Sequence, residues 1–577
     1  MNTLTTDFSL IEQAVKDYEP LWQKDYDPSV DRHFDPPAST IKQTMLDILG
    51  RCPDDPFIYV EDDIISRKTA DEQANRFGNA LLSLDAKKGE RVSLIVSNRP
   101  EVIYGFMACY KTGLVAAAYN QRCTSYEICS SIDTVGSSVV VIEQDQAHKV
   151  IDALAKGGCA SVKSVVVIDK PTDEIERAGN AKVYSFEALV SGADPKEPEV
   201  EVCPADNAIL LFTGGTTGVS KGVCATHGHM VREIKTMHHW ASPALKTPDS
   251  SVLICMPLTH IMGINYGIHW QVINGGSCIF AKGVHCDEII ESFEKYRPTM
   301  WATLPTLLHC VSLDERLGTC PYKDLEFVIF GGSFISYETL KTLSTNTNAC
   351  FAESYGMSES FGFVSANPVL TGGKLGSIGI PISGIDMLIV DAQDGLKPCP
   401  PGERGEIVFR GEQIAKNYWN NPEETAKAIK GGWMYTGDIG YMDEDGYFYI
   451  VDRKKDMIVV SGFNVFPKDI DECLMQHPAV ADACTIGVPD AHSGNRPKSF
   501  VVLKKDCFAT EDDLRAWCKQ RLVAYKAPRY IEFIDAIPTT KNRKQDRNLL
   551  REREAKRTQS TACQAGGIAK NGSEKES

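Results

Sequence analysis

The stretch Ile209-Leu-Leu-Phe-Thr-Gly-Gly-Thr-Thr-Gly-Val-Ser-Lys-Gly-Val223 decides how the chain is read. Ala208 to Phe212 is a short apolar run and reads as a buried strand. It passes into a loop of small and hydroxylated residues, Thr213 to Gly218, and on to Lys221 and Gly222. That composition suits a polyphosphate. Glycine has no Cβ, so the backbone can approach an anion closely and take positive φ. Successive backbone N–H groups can form an anion-binding nest. Thr213, Thr216, Thr217 and Ser220 add hydroxyl donors, and Lys221 adds a positive charge. A flexible surface loop has a similar composition, so the decision needs the rest of the chain. One competitor falls at once. A Walker A loop needs G-x-x-x-x-G-K-[ST]. Counting from Gly214, its second glycine falls on Val219, and Lys221 is followed by Gly222.

Around this loop lie 577 residues, a length that suggests roughly three to four domain-sized units. With 43% hydrophobic and 24% charged residues the chain can bury a large core. A net charge of −16 argues against a nucleic-acid partner, which needs a basic face. The 19 cysteines are scattered, without a C-x-x-C pair or zinc-type cluster, and read as small buried hydrophobes in a reducing cytoplasm. The start MNTLTTDFSLIEQ shows no basic region followed by an apolar run, so no signal peptide is expected. No apolar run is long enough for an integral membrane segment, and no peroxisomal S-K-L ends the sequence.

Along the chain, residues 1–40 carry aromatics and prolines and read as an extended arm packed on a domain. From Ile41 helix-like and strand-like runs alternate: IKQTMLDILGRC, FIYVEDD, TADEQANRFGNALLSL, RVSLIVSN, EVIYGFMACYKTG, SSVVVIEQD. Such alternation implies parallel sheets with crossover helices. Residues 170–207 are acidic and contain prolines, which suggests a surface connection. The alternation resumes after the loop, and residues 379–451 then read as short strands and turns of a smaller β-rich subdomain. Asp452 to Asp456 is a run of five charged residues between strands, suited to an exposed hinge. Beyond it lies an α+β module, and residues 552–577 are polar enough to be disordered.

Three further motifs follow the loop in order. Gly331-Gly332-Ser333 closes a strand, where backbone groups can face a planar base. In Glu353-Ser-Tyr-Gly-Met-Ser-Glu359, Tyr355 can stack on adenine, Ser358 can reach a phosphate and Glu359 can hold Mg²⁺, which prefers oxygen ligands shared with phosphate. In Tyr435-Thr-Gly-Asp438 the carboxylate can accept two ribose hydroxyls, with Arg453 following shortly after. Each motif alone is weak; the ordered set is not.

Taken together, Thr213–Gly222, Tyr355–Glu359, Tyr435–Asp438 and Asp452–Asp456 resemble the motifs of the adenylate-forming superfamily of acyl-CoA synthetases, luciferases and peptide-synthetase adenylation domains. The T-G-G-T-T-G form looks most like bacterial fatty-acyl-CoA ligases, and the likeness runs from about Ile41 to Arg551. It implies an α/β fold: a large N-terminal domain of parallel-rich αβα sheets with a small β-rich subdomain, and a small mobile α+β C-terminal domain. The expected divisions are an arm at 1–40, an ATP- and acyl-binding adenylation domain at 41–452, the mobile domain at 453–551 and a disordered tail at 552–577.

Residue by residue, the resemblance implies that Thr213, Gly214, Gly215, Thr216, Thr217, Gly218 and Lys221 cradle pyrophosphate. Gly331, Gly332 and Ser333 lie beside adenine, Tyr355 stacks on it, Ser358 contacts the α-phosphate, and Glu359 is catalytic as the Mg²⁺ ligand. Asp438 and Arg453 match the ribose contacts and Lys455 the hinge. His260 matches the catalytic residue that closes the carboxylate pocket, with Gly263, Thr303, Gly331 and Gly356 lining the acyl group. The segments around His260–Gly267, Thr303–Leu307 and Gly356–Phe363 are small and apolar, with no partner for a second charge. No aspartate follows His260 to hold an α-amino group, which favours a non-amino acid. Ser461, Gly462 and Phe463 match the coenzyme A segment. Lys544 matches the catalytic C-terminal lysine, although Arg543 replaces the usual glycine before it and Lys541 is a displaced rival.

The implied activity has two half-reactions with ATP, Mg²⁺ and coenzyme A. A carboxylate attacks the α-phosphate to give acyl-AMP and pyrophosphate, and the thiol then forms acyl-CoA and releases AMP. The loop and GSIGIPISG (376–384) favour a medium- or long-chain fatty acid over an aryl acid. Transfer to a carrier protein stays open, as does a catalytically impaired nucleotide-binding homologue, which Arg543 supports. A homodimer is compatible with the sequence.

Overall fold

The computed structural model describes residues 7–121, 123–169, 177–213, 221–246, 250–318, 322–332, 335–460, 463–490, 494–540 and 545–557. These residues form two compact units. The first comprises residues 1–388, 408–435 and 442–449; the second comprises 389–407, 436–441 and 450–577.

Two parallel-rich sheets carry the first unit. One has nine strands in the order Ile380–Pro381, Gly362–Ala366, Cys350–Met357, Phe327–Gly331, Met300–Thr303, Ser251–Ile254, Ser277–Phe280, Pro56–Val60 and Asp63–Ser66. The six from Cys350–Met357 to Pro56–Val60 pair in parallel. The other has eight strands in the order Lys221–Thr226, Asn207–Thr213, Val115–Ala118, Arg91–Ile95, Ser137–Glu143, Ser164–Ile168, Ala181–Ser185 and Arg177–Ala178. A strand inside a helix-covered sheet is buried on both faces, so it reads as a continuous apolar run rather than an alternating one. Ser137–Glu143 and Met300–Thr303 are buried at every position. The β-rich part is a five-stranded sheet in the order Ile385–Val390, Gly405–Gly411, Trp433–Met442, Ile429–Lys430, with Phe448–Arg453 beside Trp433–Met442. The second unit adds a sheet in the order Phe463–Val465, Ile458–Val460, Gly494–Leu503, Val480–Asp490, with Tyr530–Phe533 beside Gly494–Leu503. Helices Pro467–Met475 and Glu511–Arg521 accompany it.

The structure corrects the sequence reading at five places. The arm is not extended throughout: Ser9–Gln23 is a helix that buries Ile11, Ala14, Val15 and Trp22. The spacing of 11, 14, 15 and 22 is a helical stripe, which the prolines and aromatics obscured. Within 170–207, Ala181–Ser185 is a sheet strand and Phe186–Gly192 a helix, so this is not merely a surface connection; residues 170–176 lie outside the described residues. Lys221 and Gly222 do not end the loop but begin a return strand, Lys221–Thr226, antiparallel to Asn207–Thr213. The charged run 452–456 is not wholly exposed. Asp452 is buried and accepts from the backbone N–H groups of Arg453 and Lys468, at 2.8 and 2.9 Å, and buried Asp456 pairs with Arg551 at 2.6 Å. Finally, 552–557 continues a helix from 547 instead of being disordered, because Glu554 pairs with Lys498 and Arg553 with Glu532, both at 2.7 Å.

Candidate active site

The foot of the loop 214–220 is a rung of antiparallel sheet. Lys221 faces Thr213, and Gly222 faces Phe212. The loop 214–220 itself lies outside the described residues, as does the Thr213 side chain. Gly222 also accepts from the Trp419 N–H at 2.8 Å, and Val223 bridges to Tyr418. This brings residues 418–424 against the loop's return strand. Lys221 forms an ion pair with Glu424, and its ammonium stands 5.1 Å from the centroid of the Tyr418 ring.

Tyr418 joins Lys221 to Glu359. Its hydroxyl donates to Glu359 Oε1 at 2.7 Å, and both residues are buried. Desolvation, reinforced by the Glu359 charge, raises the Tyr418 hydroxyl well above the ordinary phenol range, so it remains a donor. Glu359 also anchors the segment through its backbone, with its carbonyl accepting from Ala415 N–H at 2.8 Å. It sits in a single 3₁₀ turn, Ser358–Ser360, that ends at Phe361 with φ 55°. Ser360 Oγ accepts from Met357 N–H at 3.0 Å, closing that turn. Ser358 is half-buried beside Glu359, and Tyr355 is buried one strand position before the bulge at Gly356.

The glycines assigned to nucleotide and acid owe their identity to close backbone packing. A Cβ at Gly331 would run into the Ser354 carbonyl oxygen. One at Gly356 would lie 2.7 Å from Phe363 Cα, and one at Gly263 2.9 Å from Pro257 C. Gly332 has φ 83°, a value side chains rarely adopt. Ser333 lies outside the described residues. Thr303 is fully buried and, among the described residues, its hydroxyl has no partner. His260 is exposed, and its Nδ1 accepts from Met262 N–H at 3.3 Å, capping Ile261–Ile264. Asn98 brackets the turn before it, donating to the Met256 carbonyl at 2.7 Å and accepting from Leu258 N–H at 2.8 Å.

Within the second unit Asp438 is buried and pairs with Arg453 Nε at 2.6 Å. Gly437 beside it has φ 71°, and its N–H donates to Glu406 at 2.9 Å. Lys454 returns to the same place, its N–H reaching the Gly437 carbonyl and its ammonium Glu406, both at 2.8 Å. The Tyr-Thr-Gly-Asp motif and the Asp-Arg-Lys-Lys-Asp run are thus one network. Lys455, at the expected hinge, is exposed. Phe463 opens a short strand; Ser461, Gly462 and residues 541–544, including Lys541, Arg543 and Lys544, lie outside the described residues.

Among the described residues no cluster of three His, Cys, Asp or Glu groups could hold a metal alone. Mg²⁺ commonly binds through one or two carboxylates while phosphates and waters fill its other positions. A single buried carboxylate, oriented by a phenol and linked through it to Lys221 at the start of the return strand, fits that habit.

The family model described as AMP-binding enzyme matches residues 48–419, and that of the AMP-binding enzyme C-terminal domain matches residues 469–544. The chain belongs to the AMP-binding enzyme family. Among curated members, a long-chain-fatty-acid–CoA ligase of Escherichia coli O6:H1 is 31% identical, covering 88% of this chain and 94% of that protein. A 4-coumarate–CoA ligase of Vanilla planifolia is 29% identical, covering 88% and 90%. MatB from Rhodopseudomonas palustris, solved with ATP bound, has a TM-score of 0.79 at 25% identity over 89% of this chain and 99% of that one. The Mycobacterium tuberculosis fatty acyl CoA synthetase has a TM-score of 0.70 at 26% identity, over 89% and 98%. The α/β architecture, with its parallel-rich sheets, smaller β-rich part and C-terminal domain, is that of these AMP-binding enzymes. Among the described residues no helix is long and apolar enough to cross a membrane.

Sequence reasoning passed over Tyr418, Glu424, Glu406 and Asn98 in this family member. Tyr418 lies 59 positions from Glu359, and Glu424 lies 203 from Lys221. No spacing rule spans such separations. The available signal was local: Tyr418-Trp-Asn-Asn-Pro-Glu-Glu424 puts an aromatic and two acids around a helix-starting Pro422.

Proposed function

We propose that this AMP-binding enzyme is an ATP-dependent carboxylic acid:CoA ligase, working in the cytoplasm on a medium- or long-chain fatty acid. The observation that carries the reading is the Glu359–Tyr418–Lys221 chain at the foot of the phosphate loop. It joins an oxygen ligand suited to Mg²⁺ to a cation suited to a leaving pyrophosphate. The near full-length match to a long-chain-fatty-acid–CoA ligase supports the acid class.

In the first half-reaction a carboxylate oxygen attacks the α-phosphorus of ATP, and the bond to the bridging oxygen of pyrophosphate breaks. Such chemistry depends on positioning and on neutralising charge. Thr213 to Lys221 grip the leaving pyrophosphate. Gly331 to Ser333 and Tyr355 hold adenine, Asp438 and Arg453 hold ribose, Ser358 contacts the α-phosphate, and His260 closes over the carboxylate. Glu359 would hold Mg²⁺ alongside the phosphates, and the ion would neutralise their negative charge. Lys544 approaches the α-phosphate from the C-terminal segment. In the second half-reaction the coenzyme A thiol attacks the adenylate carbonyl and AMP leaves. Rotation about Lys455 withdraws Lys544 and presents Ser461, Gly462 and Phe463 to the thiol, a form of conformational gating.

The test measures pyrophosphate, AMP and thioester across acids of graded length and aromaticity, with and without coenzyme A. The expected result is pyrophosphate release greatest with medium or long alkyl chains, and thioester equal to AMP when coenzyme A is present. Absence of pyrophosphate with every acid would refute the reading. Adenylate formation without thioester would replace the ligase by an acyl-AMP donor to another acceptor.

A further inference from the structure

The helix His227–Ala241 carries an acid where its packing calls for a hydrocarbon. Met230, Ile234, Met237 and Ala241 are buried at the three- and four-residue spacing of a core-facing stripe. Glu233 stands inside that stripe, 1% exposed. Among the described residues neither of its carboxyl oxygens has a hydrogen-bond partner. Burying a polar group without a partner is costly, so such a residue persists against the stability of the fold.

Its surroundings point to a use. A Cβ at Gly362 would lie 2.7 Å from Glu233 Cδ, so the carboxyl occupies space that a side chain at 362 would need. Gly362 pairs with Met357 and opens the strand directly after the turn bearing Ser358 and Glu359. Nearby is Tyr266, on the π turn Asn265–His269, 2% exposed and likewise without a hydroxyl partner among the described residues. Burial raises its phenol. Asn265 Nδ2 donates to the Phe361 carbonyl at 2.6 Å, tying the π turn to the 358–362 turn. Helix 227–241 packs against the π turn and against the strand Gly362–Ala366. Single π turns inside helices recur at functional sites. The two unpartnered groups thus belong to elements tied to segments 260–267 and 356–363, to which the acid is assigned above.

Burial raises the Glu233 carboxyl far above its ordinary value. A protonated carboxyl offers one O–H donor and one carbonyl acceptor. Tyr266 offers a second O–H. An alkyl chain leaves both groups unsatisfied. An ammonium or carboxylate on the substrate would itself have to shed its water in a buried place. A hydroxyl both donates and accepts without a charge. We propose that Glu233 and Tyr266 are specificity residues that read a hydroxyl group carried by the acid, so that the natural substrate is a hydroxylated carboxylic acid rather than a plain alkyl one. The inference rests on the ligase reading above.

Matched acids differing by one hydroxyl test it: straight-chain acids of graded length with and without a terminal hydroxyl, and cinnamic against 4-hydroxycinnamic acid. The readout is kcat/KM for pyrophosphate release. The wild type is expected to favour the hydroxylated member of at least one pair by about 10- to 100-fold, the effect of leaving buried polar groups unpaired. Glu233→Gln, a neutral donor and acceptor of the same shape, keeps that preference. The double variant Glu233→Leu with Tyr266→Phe loses it and gains activity on the unsubstituted acid, while melting no lower than wild type. Two results overturn the inference: an unsubstituted acid used at least as well in every pair, or a preference that survives the double variant. No pyrophosphate from either series removes the ligase reading, and this inference with it.

Discussion

Replacing Tyr418 by Phe removes one oxygen and leaves the ring. The lost group is the donor at 2.7 Å to Glu359 Oε1, inside a site where both residues are buried. A hydrogen bond to a charged group contributes about 1.5–3 kcal/mol net. At about 1.4 kcal/mol per decade, the carboxylate's preference for one orientation falls by about 10- to 150-fold. The ring remains beneath the Lys221 ammonium at 5.1 Å, so the cation–π contact and the Lys221–Glu424 pair survive. The loss should therefore appear on the metal side alone. ATP–pyrophosphate exchange, measured over a Mg²⁺ titration at saturating ATP and acid, should need about tenfold more Mg²⁺ for half-maximal rate. Excess Mg²⁺ should restore most of the rate. In a Glu359→Gln background the same change should cost little, because residues acting through one contact are not additive. An unchanged Mg²⁺ dependence, or full additivity with Glu359→Gln, would refute the role given to Tyr418.

Three more outcomes can be checked directly. Lys544→Ala should slow adenylation by about 10²–10³ and spare thioester formation from preformed adenylate, as single-turnover assays of each half-reaction will show; equal losses would end its assignment. Gly356→Ala forces a Cβ to 2.7 Å from Phe363 Cα, and thermal unfolding should report a loss of about 1–3 kcal/mol. His227 is fully buried, neither ring nitrogen has a partner among the described residues, and desolvation lowers it from 6.5 to about 4. On acidification the unfolded chain therefore takes up this proton first. The stability tied to neutral His227 is complete above pH 6.5 and is lost as pH falls toward 4. Unfolding at pH 7 and pH 5 should differ by about 2 kcal/mol less in His227→Leu than in wild type, and an unchanged difference would argue against the assignment.

The parallel strands were legible because burial on both faces writes itself as an apolar run; Ser164–Ile168 is SVVVI and buried throughout. The return strand Lys221–Thr226 was not, because its glycine and lysine continue the loop's composition and its pairing partner is what makes it a strand. The helix Ser9–Gln23 hid behind Pro20, which this helix accommodates. At the site, residues inside contiguous motifs could be named from sequence. Residues that meet those motifs only through folding could not. Tyr418 reaches Glu359 across 59 positions, and Glu406 links Gly437 to Lys454 from a separate strand. Glu233 had a readable signature, a charge at a stripe position between Met230 and Met237, but the tally of helix faces in an acidic protein rarely singles out one glutamate.

The pairing of Lys221 with Thr213 has a wider consequence. Both ends of the loop 214–220 are pinned to one rung of sheet, and the strand that leaves this rung runs six residues to Thr226, whose hydroxyl caps the helix bearing Glu233. Ladder, cap and helix form a continuous strut with the ends of the loop 214–220 on one side and Glu233 further along. A strut transmits displacement, so a backbone change that retunes one end drags the other with it.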